Sequence, residues 1–158
     1  MSAPSGDRGR GTDLDRNSGE TAADAGATIA FPQGLPGFPS ALRFALRAAA
    51  PGIEGLLLLQ STDDPDLRFL VMPYHEADVP LRRGDLDAAC AALGVPAEHA
   101  AVLLVVTRRT EPDQAAPAPQ LFVNLRAPLV LDTQRGIGVQ HVLPVPDYPV
   151  RHPLARAA

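Results

Sequence analysis

The segment FPQGLPGFP, residues 31–39, constrains the fold of this chain more than any other part of it. Proline fixes the backbone φ angle and lacks an N–H group, and glycine readily adopts positive φ, so this segment can be neither a helix interior nor a central strand. Pro36 and Gly37 suit the two central positions of a type II turn. We therefore expect a rigid loop, held at its two ends by Phe31 and Phe38, that presents a fixed surface.

The composition excludes several kinds of chemistry. All 14 residues counted as Lys or Arg are arginine, so a lysine Schiff base, a lysine general base and a P-loop lysine are ruled out. A net charge of −4 without a basic run disfavours direct binding to nucleic acid. The single cysteine, Cys90, cannot form an internal disulfide, and neither a membrane span nor a signal-peptide pattern is evident. We therefore interpret the protein as cytoplasmic.

Short apolar runs separated by proline and glycine predict a chain made mostly of strands. The 17 Pro and 13 Gly indicate many turns rather than long helices. A run that alternates predicts a strand with one buried face, and a continuous run predicts a strand covered on both faces. The predicted strands span Arg43–Arg47, Leu56–Leu59, Leu67–Met72, Ala101–Val106, Leu121–Leu125, Leu129–Leu131 and Ile137–Val142.

One helix is predicted by apolar residues at positions i, i+3, i+4 and i+7, which form a single stripe. Asp85 is the expected N-cap and Gly94 the expected stop. Cys90 lies on the stripe, so we interpret it as a small buried hydrophobe rather than a nucleophile. The stripe consists of Leu86, Ala89, Cys90 and Leu93.

Several short strands and one short helix predict a mostly β fold, a small antiparallel β-barrel-like domain. We place this domain at residues 26–158. Residues 1–25 are expected to be a disordered tail, because Leu14 is the only large aliphatic residue in that region. The segment 115–119, with two prolines, is expected to be an exposed loop.

Four blocks of sequence resemble the FliW family of flagellar assembly factors. FPQGLPGF at 31–38 is similar to the family's F-P-x-G-(L/I)-P-G-F signature, and LQSTDDPDLRF at 59–69 to its L-Q-S-x-D-x-P-x-L-x-F block. NLRAPLV at 124–130 and YPVRHPL at 148–154 resemble its N-L-x-A-P-(I/L)-V and Y-x-x-R-x-P-L segments. Four blocks in the family's order make the resemblance specific.

The chain departs from the family in one region. Members usually begin with a strand before the first block, whereas residues 12–27 are polar and rich in alanine, with little strand character. The first strand is therefore expected to be short, displaced or weakly paired.

The resemblance implies a small β-barrel-like protein without enzyme activity or cofactor, and with two protein partners. One partner is flagellin, held in the cytoplasm before export. The other is the translational regulator CsrA, a small RNA-binding dimer that represses flagellin mRNA. The resemblance further implies exchange between them: when flagellin is exported, the freed factor binds CsrA and relieves repression. Neither nucleic acid nor a membrane is an expected partner.

Positions within the first two blocks are expected to take part in partner binding. Those of the first block are expected mainly to build the loop, with the two glycines serving backbone geometry. Those of the second are expected as polar contacts, although turn formation alone would explain them. The positions are Phe31, Gly34, Leu35, Gly37, Phe38, Gln60, Asp64 and Asp66.

Four further positions are expected in the last two blocks. Asn124 and Arg126 are predicted to lie on a strand, on the face opposite to Leu125, and Arg126 to pair with a carboxylate of the partner; the alternative is a weak surface salt bridge. Arg126→Glu is accordingly expected to weaken one partner while the domain stays folded. Arg151 and His152 are expected as contacts near the end of the chain; for His152 the alternative is a frayed surface group.

Two other hypotheses stay open. One is a small barrel enzyme or ligand-binding module, for which a deep pocket lined by His75, His99 or His141 together with carboxylates would be required. The other is a degenerate family member that keeps the fold and has lost a partner, which the atypical N-terminal region motivates.

Overall fold

The computed structural model describes residues 27–49, 55–109 and 120–154. The predicted disordered tail at 1–25, the domain boundary beside it and the predicted loop at 115–119 lie outside the described residues and stay predictions.

The described residues form nine strands in one sheet, and seven of these strands close into a barrel. The strands are β1 (Ala27–Ala30), β2 (Arg43–Ala48), β3 (Leu57–Ser61), β4 (Arg68–Pro73), β5 (Ala100–Arg109), β6 (Gln120–Val123), β7 (Leu129–Asp132), β8 (Ile137–Gln140) and β9 (His152–Pro153). Around the barrel the order is β4-β3-β2-β1-β8-β7-β5, and β5 pairs back with β4. Strand β6 continues the sheet from β5, and β9 pairs with β6. The mostly β, barrel-like fold predicted from the sequence is thus confirmed.

The barrel closes through its one parallel pair. Strands β1 and β8 are joined at a single residue pair, Ala30 and Ile137, and the N–H of Ala30 donates to the carbonyl of Gly136 at 2.8 Å. The other strand pairs of the described sheet are antiparallel. The first strand, which the sequence left open, is therefore present but short, and it pairs with β2 along its whole length.

The two faces of β4 and β5 serve two separate cores. Val71 and Leu103 point into the barrel, while their neighbours Met72 and Leu104 point to an outer core on the opposite face of the sheet. Successive side chains of a strand point to opposite faces, so a strand buried on both faces must be apolar throughout. This is why Ala101–Val106 is a continuous apolar run. The buried residues of the barrel core are Ile29, Phe31, Leu35, Phe44, Leu59, Val71, Leu103, Leu129 and Leu131.

Helix α1 (Arg83–Ala92) covers the outer core with the predicted stripe, since Leu86, Ala89 and Cys90 are buried. The helix ends at Ala92, and Gly94 closes it two residues later, in the role predicted. Gly94 has φ +73° and donates to the carbonyl of Ala91 at 3.1 Å, and the N–H of Val95 donates to that of Cys90 at 2.9 Å. This pair of hydrogen bonds is the Schellman motif.

The prediction that Asp85 is the N-cap of this helix is wrong. The N-cap residue is Arg82, and its side chain makes no capping hydrogen bond. Instead, the carboxylate of Glu76, from the preceding loop, accepts the N–H of Arg83 at 2.9 Å. Asp85 lies within the first turn, where a negative charge is favourable to the helix dipole. Because Glu76 satisfies a terminal N–H from outside, the helix begins earlier than the sequence pattern predicted.

No helix in the described part of the chain is long and apolar enough to cross a membrane.

Candidate protein-binding surface

The loop after β1 contains the predicted type II turn. The N–H of Phe38 donates to the carbonyl of Leu35 at 2.7 Å, and the N–H of Leu35 donates to the carbonyl of Phe38 at 3.2 Å. Gly37, at the third position of this turn, has φ +86°, as a type II turn requires. The turn thus holds Phe38 at a fixed place on the surface.

Gly34 is required by space as well as by backbone angle. Its φ is +68°, and a Cβ at this position would lie 2.7 Å from the carbonyl oxygen of Phe38 and 2.7 Å from the Cα of Pro39. The loop therefore folds back onto Gly34 so tightly that only glycine fits. By contrast, a Cβ at Gly37 would meet nothing within 4 Å.

A chain of aromatic rings connects this loop to the barrel core. Phe38 is 42% exposed, and its ring meets that of Phe69 edge to face at 5.7 Å. Phe69 packs against Phe44 at 6.1 Å, and Phe44 meets Phe31 edge to face at 5.5 Å. Phe31 and Phe44 are fully buried. Such pairs contribute about 0.5–1.5 kcal/mol each beyond the area that they bury, so the exposed ring of Phe38 is braced by the core.

The second predicted group forms the turn between β3 and β4. The N–H of Leu67 donates to the carbonyl of Asp64 at 2.9 Å, and the N–H of Asp66 donates to Oδ1 of Asp64 at 3.2 Å. The side-chain amide of Gln60 donates to the carbonyl of Pro65 at 2.8 Å. Gln60 and Asp64 thus have the turn-forming role that the sequence offered as the simpler explanation.

Ser61 is a member of this site that the sequence analysis missed. It is 3% exposed, and its hydroxyl oxygen accepts the N–H groups of Asp63 and Asp64 at 3.2 and 3.1 Å. A serine immediately before an Asp-rich turn is a recognised signal for this kind of local hydrogen bonding.

The loop and the turn meet in a groove of about 410 Å³, which we name the Phe38 groove. Of the predicted residues, Gly37, Phe38 and Asp64 line it, and Gln60 supports its wall through Pro65. It is lined by Gly37, Phe38, Pro39, Ser40, Ala41, Ser61, Asp63, Asp64 and Leu67.

Three predicted contact residues of the first block are buried. Phe31 and Leu35 belong to the barrel core, and Gly34 lies beneath the loop. All three build the loop on which the groove depends, and the side chains of Phe31 and Leu35 are not available to a partner in this fold.

The remaining predicted residues lie elsewhere, around the loop after β6. Strand β6 ends at Val123, so the prediction that Asn124 and Arg126 lie on a strand is wrong. The strand ends there because the side-chain oxygen of Asn124 accepts the N–H groups of Arg126 and Ala127 at 3.0 and 3.1 Å. An asparagine that bonds the backbone two residues ahead favours a turn over a strand ladder.

The guanidinium of Arg126 makes hydrogen bonds within the protein. Its Nε donates to the carbonyl of Tyr148 at 3.1 Å and its Nη2 to that of Pro146 at 2.7 Å. The guanidinium therefore holds the C-terminal segment against the β6–β7 loop, and it makes no ion pair with another described residue.

Tyr148 carries a polar network that sequence analysis missed. It is 6% exposed; its hydroxyl donates to the carboxylate of Asp85 and accepts the backbone N–H of Arg82 at 3.2 Å. Arg82 also pairs with Asp85 at 3.3 Å, and its hydrogen bond with Tyr148 raises the pKa of the guanidinium. Tyr148 lies 63 residues after Asp85 and 66 residues after Arg82, so no local pattern signals this contact.

Near the end of the chain, His152 pairs with Val123 in β9, while Arg151 is exposed. His152 is thus a strand residue rather than a frayed surface group. Val142 and Val150, 61% and 52% exposed, lie on either side of the β6–β7 loop. Neither residue lines the Phe38 groove.

The side chains considered for catalysis are placed unfavourably for it. Burial raises the pKa of the Cys90 thiol, which disfavours the nucleophilic thiolate. Three cavities of the described residues, of about 500, 460 and 410 Å³, have no histidine in their linings. No group of three or more His, Cys, Asp or Glu among the described residues could hold a metal ion.

Comparison with protein families identifies a match over most of the chain. The family described as "FliW protein" matches residues 14–154. The flagellar assembly factor FliW of Geotalea uraniireducens is 33% identical, over 85% of this chain and 78% of its own length. Those of Carboxydothermus hydrogenoformans and an Azoarcus species are 31% and 30% identical, over 86% and 73% of this chain and 84% and 79% of their own lengths.

A solved structure shares the fold. A crystal structure of the flagellar assembly factor FliW superimposes with a TM-score of 0.58, at 23% sequence identity, over 82% of this chain and 86% of that one.

The two glycines of the loop provide a matched test of its geometry. We expect Gly34→Ala to lower the free energy of unfolding by about 2–4 kcal/mol, because it combines strained φ with a backbone clash. Gly37→Ala, which adds only the strain, should cost about 1 kcal/mol. Urea unfolding of the two variants measures the difference, and equal losses would contradict the close approach at Gly34.

A second test concerns Arg126. Arg126→Ala should lower the free energy of unfolding by about 1–2 kcal/mol, because two carbonyls of the C-terminal segment lose a charged donor. The expectation from sequence, that Arg126→Glu weakens one partner while the domain stays folded, stays a prediction. The control is Arg151→Ala, at an exposed position, which should change stability by less than about 0.5 kcal/mol. Equal stability of both variants would show that Arg126 does not hold the segment.

Proposed function

The chain is a member of the FliW family of flagellar assembly factors, and from this membership we propose that it is a cytoplasmic adaptor that binds flagellin and antagonises CsrA. It acts by occupying the surfaces of these two proteins in turn and carries out no chemical reaction. Flagellin bound to it withholds it from CsrA, and free protein relieves the repression of flagellin synthesis.

The observation that carries the proposal is the Phe38 groove. Exposed apolar surface rimmed by polar residues is typical of interaction sites, and the exposed ring here is held rigid by a turn and braced by Phe69. Aromatic side chains in preformed grooves supply much of the binding energy of protein interfaces. Amphipathic helices place their apolar face into such grooves. We propose that an amphipathic terminal segment of flagellin, the partner that the family resemblance implies, binds here in this way.

The charge of the chain supports the second interaction. A net charge of −4 attracts a basic RNA-binding protein and repels RNA itself. The protein is thereby suited to approach CsrA without competing for the messenger that CsrA binds.

Size-exclusion chromatography tests the proposal directly. The purified chain is mixed with the flagellin and the CsrA of its own organism, first separately and then together. We expect it to co-elute with each partner, and flagellin to displace CsrA. Failure to co-elute with either partner would overturn the adaptor proposal and turn attention to the ligand-binding alternative. Binding of one partner alone would identify a degenerate member that has lost the other.

Phe38 should dominate the contact with flagellin. We expect Phe38→Ala to weaken flagellin binding about tenfold. The part of the Phe38 ring that is exposed in the free protein would become buried in the complex, and the variant loses this apolar contact. Val150→Ala, which changes an exposed residue outside the groove, should leave the affinity unchanged. Isothermal titration of both variants makes the comparison, with urea unfolding to verify that they are folded. Equal affinity of Phe38→Ala and the natural chain would exclude the groove as the flagellin site.

A further inference from the structure

The Phe38 groove combines an apolar floor with an acidic end. Phe38, Ala41 and Leu67 contribute apolar surface, and Asp63 and Asp64 line the same groove where the β3–β4 turn forms its wall. Both aspartates are exposed. Among the described residues, ion pairs join only Arg82 to Asp85 and Arg135 to Asp132, so neither groove carboxylate is neutralised by a described arginine.

Local hydrogen bonds fix the backbone that carries the two carboxylates. Ser61 accepts the N–H groups of both residues, and the carbonyl of Asp64 accepts the N–H of Leu67, which itself lines the groove. The backbone positions of both aspartates are therefore fixed relative to the apolar floor, and the carboxylate of Asp64 is also held by the N–H of Asp66. A partner does not have to order the turn before it binds, which reduces the entropic cost of binding.

We propose that the Phe38 groove selects a cationic amphipathic segment of flagellin. An apolar side chain of that segment packs on Phe38 and Leu67, and a Lys or Arg side chain meets the carboxylates of Asp63 and Asp64. On a helix, the two partner side chains would be spaced at i, i+3 or i, i+4, which places them on one face. A segment with an acidic residue at that spacing is repelled, so the charge provides specificity while the apolar contact provides affinity.

This inference rests on the proposed function for the identity of the partner, and it adds the chemistry that the binding segment must carry. It can fail while the proposed function holds, because flagellin can bind in the groove through apolar contacts alone.

The test removes the two charges without changing shape. Asp63→Asn and Asp64→Asn are combined in one variant, in which the backbone bonds to Ser61 remain and the amide introduced at position 64 keeps an oxygen for the N–H of Asp66. The control removes two exposed charges that do not line the groove, Asp78→Asn with Glu98→Gln, so that both variants have the same net charge. Urea unfolding establishes that each variant is folded.

The probe is flagellin of the same organism, titrated at about 50 mM and about 300 mM salt, which differ in screening length. The groove variant should bind about two- to fivefold more weakly than the natural chain at low salt, the range expected for exposed charge pairs. Its affinity should also depend less on salt, whereas the control keeps the affinity and the salt dependence of the natural chain.

The outcomes separate the two ideas. If the natural chain and the groove variant bind flagellin equally well at both salt concentrations, the inference is overturned and the proposed function stands. If the natural chain does not bind flagellin at all, both the inference and the proposed function are overturned. If the control weakens binding as much as the groove variant, the effect belongs to net charge, and the inference is again overturned.

A charge reversal gives a second measurement. Asp63→Lys with Asp64→Lys should weaken flagellin binding further, and changing one Lys or Arg of a flagellin terminal segment to Glu should restore it. Such rescue identifies the paired residue by a double-mutant cycle. Absence of rescue by every such change contradicts a direct pairing.

Discussion

The fold depends on the space that Gly138 leaves for the ring of Phe31. A Cβ at position 138 would lie 2.8 Å from Cε1 of Phe31 and 2.6 Å from Cδ2 of Leu131, so strand β8 passes close to the ring only because it carries no side chain there. Phe31 directly follows Ala30, whose N–H closes the barrel onto β8. The ring of Phe31 therefore packs in the barrel core directly beside the residue that closes the barrel. It also anchors the loop that shapes the Phe38 groove.

Two kinds of contact support the rest of the structure. Aromatic contacts continue from Phe31 through Phe44 and Phe69 to the exposed ring of Phe38. On the other face of the sheet, the outer core is tied together by polar groups, with Tyr148 and Arg126 linking the helix, the β6–β7 loop and the C-terminal segment. The groove is thus supported by apolar packing, and the C-terminal surface by hydrogen bonds.

Elements with strong local patterns could be predicted from the sequence. The helix stripe around Cys90, the doubly apolar run in β5 and the turn at Gly37 were found because each has its own period or backbone requirement. The pairing order of the strands, including the parallel contact of β1 with β8, depends on residues far apart in the chain and has no local signal.

The candidate site was predictable to a similar degree. Two of the four sequence blocks do meet at the Phe38 groove, but sequence could not separate residues that contact solvent from those that build the loop, such as Gly34. Arg126 shows a second limit: no local pattern signals that its guanidinium donates to the distant carbonyls of residues 146 and 148. In each case the role of the residue depends on contacts that only the tertiary structure shows.

The placement of Tyr74 and Tyr148 determines what optical spectroscopy can observe in this molecule. The chain contains two tyrosines and no tryptophan, and both tyrosines lie in the outer core beside the helix. Tyrosine emission therefore reports on that layer alone, while the barrel interior and the surface around Phe38 contribute no comparable chromophore. An indole introduced into the loop would be the sole one in the chain, and its signal would come from that region without background.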